Sequence, residues 1–127
     1  MSTKKFPSFY PTHITVPHQD ATEKSFECLY RFADASPATS SDFRARCNEP
    51  CTDRYRKKHQ NNPRFYGTSF FTCKRKLDKL QEMHPDGFAT KLITNGAVSQ
   101  ELGLSLKETK HVCLWFYEGC FPTGFKV

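Results

Sequence analysis

No stretch of this 127-residue chain approaches the roughly 20 consecutive apolar residues that a membrane-spanning helix requires. The opening Met1-Ser-Thr-Lys-Lys-Phe-Pro7 has no apolar run of the kind a signal peptide carries. No Cys-x-x-Cys pair occurs, so the close ligand pairs of zinc ribbons and of dithiol redox motifs are missing. Asn48, Asn61, Asn62 and Asn95 all lack the Ser or Thr of a glycosylation acceptor. Gly-x-Ser-x-Gly, phosphate-binding-loop and His-Glu-x-x-His patterns are absent too, and His13, His18, His59, His84 and His111 are scattered. These absences give catalysis little support. The apolar fraction is 37% and the mean hydropathy −0.67, so the core must be modest.

What the chain does have is aromatic residues, basic charge and cysteine. Twelve Phe, five Tyr and one Trp supply much of the available core, each buried ring removing about 150–250 Å² from water. Nineteen Lys and Arg against thirteen Asp and Glu leave a net charge of +6. That balance favours acidic partners. Six cysteines, Cys28, Cys47, Cys51, Cys73, Cys113 and Cys120, form an even and irregular set. In a small chain this pattern reads as a framework of three disulfides. Paired cysteines in turn predict a secreted protein in its mature form, with a nuclear or cytoplasmic location as the alternative.

The chain divides into an extended arm over 1–22, punctuated by Pro7, Pro11 and Pro17, and a compact domain over 23–127. Thr12–Val16 is a candidate short strand in the arm. Alternation over Ser25–Ala33 predicts a strand with Phe26, Cys28, Tyr30 and Phe32 on one face and Glu27 and Arg31 on the other. A helix is expected over 42–60, interrupted by Pro50, and a strand over 64–74 with a bend at Gly67. Leu77 and Leu80 predict a helix over 74–83. His84-Pro85-Asp86-Gly87 reads as a turn, 88–94 as a strand and Asn95-Gly96 as a tight turn. Val98–Leu104 has helical character, and β-propensity makes the chain a strand from about His111 onward. The expected class is therefore α+β: a small, twisted, mainly antiparallel sheet with one or two helices, stabilised by disulfides.

Cys47-x-x-x-Cys51 on a helix resembles the corresponding element of insect odorant-binding proteins and of PAN/apple modules. The remaining cysteine spacings depart from both families, so neither is assigned. Cys47, Cys51 and Cys73 with His59 or His84 form an alternative zinc set. Residues 97–117 carry a helix-turn-helix pattern that would present Lys107, Lys110 and His111 to DNA.

Two basic clusters stand out: Arg54, Arg56, Lys57 and Lys58, and Lys74, Arg75 and Lys76. Tyr55, Phe65, Tyr66 and Phe70 lie near them in sequence. The expectation is a non-catalytic binding or effector protein without a cofactor, these seven residues contacting an acidic protein or glycan surface in preference to nucleic acid. An intracellular nucleic-acid-binding protein, with structural zinc or the helix-turn-helix, is the alternative.

Overall fold

A computed structural model describes residues 4–88 and 90–127; Met1–Thr3 of the expected arm and Ala89 of the expected 88–94 strand lie outside the described residues. The fold is α+β. Five strands, β1 (Phe26–Ala33), β2 (Thr68–Phe71), β3 (Leu92–Val98), β4 (Gly103–Glu108) and β5 (His111–Phe116), form one sheet in the order β3-β1-β2-β5-β4. Every neighbouring pair is antiparallel. Among the described residues three helices accompany it: α1 (Asp53–His59), α2 (Lys74–Met83) and the single turn α3 (Pro85–Phe88).

The sheet is covered on both faces. On one, Leu29, Phe70, Val98, Val112, Leu114 and Phe116 pack with Phe43 and with Phe125 from the C-terminal tail. On the other, Phe32 stacks on Phe88 of α3 at 4.7 Å, and Trp115 donates its indole N–H to the Pro63 carbonyl at 3.0 Å. β5 thus lies between two layers, and Val112 to Phe116 are all buried. A run with apolar side chains on both faces is what a central strand requires.

β1 is a strand, but the expected alternation is broken near its start, and its deeply buried positions are Leu29 and Ala33 rather than Cys28. A register shift between Phe26 and Leu29 in the pairing with β3 inserts an irregularity. It puts Phe26 and Leu29 together against the core and leaves Cys28 exposed. One irregular residue exchanges the faces of everything after it.

Further expectations are corrected. Asn95-Gly96 is no turn but the middle of β3, because the Phe125 ring occupies the space where a Gly96 Cβ would stand, 2.7 Å away. Residues 97–117 hold the end of β3, a short 3-10 turn at Gln100–Leu102, and β4 and β5 joined by a Thr109-Lys110 turn with Thr109 at φ 55°, so neither the helix-turn-helix nor a longer helix over 98–104 forms. The expected helix over 42–60 is confined to 53–59. Ahead of it, 3-10 turns at Ser40–Phe43 and Arg46–Asn48 flank an extended link at Arg44 and Ala45. Residues 64–66 belong to a 3-10 turn, Pro63–Tyr66, and the strand begins only at Thr68.

The largest correction concerns sulfur. Cys28, Cys47, Cys51, Cys73, Cys113 and Cys120 are all free, and no pair lies at disulfide distance. They sit on different elements with different surroundings. Cys47 belongs to a small cluster with Ala45 and Phe65, whereas Cys113 is buried on β5. Burial pushes the Cys47 thiol up and the Cys113 thiol up to about 12. The neighbouring Cys28 thiol pushes the Tyr30 hydroxyl pKa up, with smaller contributions from burial and Cys73. Packed rings hold the sheet together. Phe43, for instance, lies 6.1 Å from Phe70 in a stacked pair and 5.2 Å from Phe125 edge to face. Intact mass is expected to be the same before and after reduction; a gain on reduction would reinstate the crosslinks. No zinc set forms either: among the described residues no three His, Cys, Asp or Glu side chains are placed to hold a metal.

The chain's two ends meet the outer strands. Thr22 forms a two-way backbone bridge with Ser105 of β4, at 2.9 and 2.8 Å, and Lys126 forms one with Asn95 of β3, at 2.9 and 3.2 Å.

Candidate functional site: a cleft where two strands part

β1 and β2 are ladder partners at one position only, Tyr30 opposite Phe71. Beyond it they diverge, and the side chain of Arg31 enters the gap. Its Nη1 donates to the Ser69 carbonyl at 2.7 Å and its Nε to the Asp42 carbonyl at 2.7 Å. A guanidinium has here taken the place of a ladder donor. Its fixed fork suits two acceptors lying in different directions.

The chain between Asp42 and Cys47 fills the rest of the opening. The Thr68 hydroxyl donates to the Phe43 carbonyl at 2.8 Å, and the Arg46 amide to the Gly67 carbonyl at 3.0 Å. These bonds draw the link along β2. Burial then alternates: Phe43, Ala45 and Cys47 point inward, while Arg44 and Arg46 stay exposed. Upstream, the buried Asp42 carboxylate accepts from the amides of Asp34 at 2.8 Å and Thr39 at 2.9 Å. Burial alone would raise the Asp42 pKa, but these donors, the Thr39 hydroxyl and the nearby Arg31 charge hold it below its ordinary value.

The result is a cavity of about 330 Å³ with a mixed lining. Its polar lining joins Arg31, Arg44, Arg46, Lys91, Ser69 and His111 with the carboxylates Asp34, Asp42 and Glu49, and Phe32, Phe71, Leu80 and Phe88 supply the apolar part. The positive charges are crowded. Burial lowers the pKa of Arg31, with Glu49 and Asp42 opposing that shift and Arg44 adding to it. Burial likewise lowers His111, helped by the charges of Arg46 and Arg64. His111 Nε2 lies 3.1 Å from the Ser69 hydroxyl. Among the described residues no carboxylate is hydrogen-bonded to the His111 ring, so the third member of a Ser-His-acid relay is not in place.

The cations of the cleft are unequally engaged. Arg31 reaches Glu49 at 3.4 Å besides its two carbonyls, and Lys91 pairs with Asp34. Arg46 donates to the Tyr55 hydroxyl. Arg44 makes no side-chain hydrogen bond or ion pair among the described residues.

Arg54, Arg56, Lys57 and Lys58 lie on α1, and Lys74, Arg75 and Lys76 form the first turn of α2; all seven are exposed. None lines the cleft. Arg56 serves the fold, donating to the Cys47 carbonyl at 2.6 Å and so anchoring α1 to the preceding 3-10 turn. Arg56 and Lys57 also line a second hollow of about 470 Å³ with Phe9, Phe65 and Tyr66. Of the polar cleft residues, sequence reasoning singled out only His111 as a contact, and in the helix-turn-helix reading that the strands overturn. The one local signal was the strict inward-outward alternation of Phe43-Arg-Ala-Arg-Cys47, which was absorbed into an expected helix.

A scan against protein-family models, a search of curated proteins and a search of solved structures each found no match.

Proposed function

We propose that this chain is a small, non-catalytic binding protein that engages an acidic protein or glycan surface through the cations of α1 and α2. The observation that carries the reading is uncompensated charge. Arg54, Lys57, Lys58, Lys74, Arg75 and Lys76 are exposed and make no hydrogen bond or ion pair among the described residues. The first turn of α2 holds three cations and no acidic residue. Positive charge opposes the helix dipole there, so the arrangement costs the isolated protein stability. An acidic surface docked against it would relieve that repulsion. Such rim charges set the rate of encounter more than the final affinity. A secreted location stays tied to cysteine pairing and is decided by the mass measurement above.

The test is retention on immobilised heparin and on a polyglutamate peptide, with a DNA duplex alongside. The combined variant Lys57→Glu, Lys58→Glu, Arg75→Glu should weaken binding to the acidic surfaces by about tenfold or more at low salt, a difference that shrinks as salt screens the charges. Unchanged retention would remove α1 and α2 from the interface. Tighter, charge-dependent binding to the duplex would favour the nucleic-acid alternative.

A further inference from the structure

The cleft between β1 and β2 differs from the surface patch in having depth, an apolar wall and a directional set of donors. We infer that it is a binding site for a small phosphomonoester carrying a flat apolar group. The inference deepens the binding reading above but rests on different residues.

Three observations lead there. The first is the crowding of positive groups around one cavity. Arg31, Arg44, Arg46 and Lys91 line it against Asp34, Asp42 and Glu49, four cations to three carboxylates, and an anion would offset the excess. Acidic side chains meet part of this charge and no more. Asp42 is occupied by backbone donors, Asp34 by Lys91, and Glu49 by Arg31. Arg44 is left unengaged, and the Arg46 fork has used one nitrogen on Tyr55.

The second observation is the number and spread of the donors. A carboxylate is satisfied by the fork of a single arginine. Here Arg44 comes from the extended link and Arg46 from the start of the 3-10 turn after it, Ser69 from β2 and His111 from β5. Donors drawn from three chain segments around one cavity suit an anion that offers three oxygens in three directions. Ser69 and His111, already 3.1 Å apart, add a hydroxyl and an imidazole that donate or accept as the anion requires.

The third is the apolar wall. Phe32 and Phe88 stack with an interplanar angle of 16°, and Phe71 and Leu80 complete the surface. Flat apolar surface is what such a wall binds. The cavity, about 330 Å³, sits at the lower end of the range of roughly 300–1,000 Å³ for small-ligand sites. It admits one ring and one phosphoryl group, and little more.

Calorimetric titration of the full chain with phenyl phosphate, inorganic phosphate and phenol tests the assignment. Phenyl phosphate should bind, inorganic phosphate about tenfold or more weakly than it, and phenol not measurably. Arg44→Gln should weaken phenyl phosphate by about tenfold or more at an unchanged unfolding midpoint, since the native side chain supports nothing else. The triple variant in α1 and α2 should bind phenyl phosphate within about twofold of the parent, which separates this site from the surface patch. Phenol binding as well as phenyl phosphate, or Arg44→Gln leaving affinity intact, would overturn the proposal. A phosphotyrosyl peptide that binds more tightly than phenyl phosphate would identify a modified protein as the source of the group. Weaker binding of that peptide would identify a free metabolite.

Discussion

Phe125→Ala is expected to lower the unfolding free energy by about 3–5 kcal/mol, the range for deleting a buried ring. The side chain is fully buried although it lies only two positions from Val127. It meets Phe43 at 5.2 Å and Phe70 at 5.7 Å, both edge to face. Against it stands Gly96, which has no side chain that could relax into the vacancy. Cavities that cannot collapse lie at the expensive end of the range. Equilibrium urea unfolding measures the change. A loss below about 1 kcal/mol would mean that the tail frays in solution and that the core closes without it.

Arg31→Met is the second large effect, and it tests the parting of the strands. The substitution keeps much of the apolar stem but leaves the carbonyls of Asp42 and Ser69 without the donors that now meet them. Each buried acceptor so stranded costs about 1–3 kcal/mol, so a total of about 2–6 kcal/mol is expected. Glu49→Ala removes only the half-exposed partner at 3.4 Å, and should cost no more than about 1 kcal/mol. The contrast between the two variants carries the meaning, because some buried charges can be replaced by apolar groups at no cost. If Arg31→Met proved neutral, water or a relaxed ladder would be satisfying those carbonyls, and the guanidinium would not be what props the cleft open.

These two positions also mark the limits of what could be read from the sequence. That β1 is a strand was legible, because a half-buried strand writes its alternation into adjacent residues. Its inward face was not, since the irregularity between Phe26 and Leu29 is set by pairing with β3. Asn95-Gly96 has the composition of a hairpin turn, yet its role depends on a ring from Phe125. The even cysteine count suggested crosslinks, whereas the contacts that matter are aromatic and link Phe43, Phe70, Phe116 and Phe125 across distant segments. Helix α2 was visible because Leu77 and Leu80 fall on one side of a short stretch that is polar up to its terminal Met83. The cleft draws Arg31, Arg44, Arg46, Ser69 and His111 from β1, a connecting link, β2 and β5, so no motif with fixed spacing exists to be found.

The bridges made by Thr22 and Lys126 bear on how the molecule behaves in a crowd. A lateral strand offers its peptide groups to any neighbouring copy, and growth of that kind leads to fibrils. Here other segments of the same chain pair with both flanks, at Ser105 and at Asn95, and take up the peptide groups that a neighbouring copy would need at those two points. Recognition is thereby steered away from the peptide groups at those points and towards side chains.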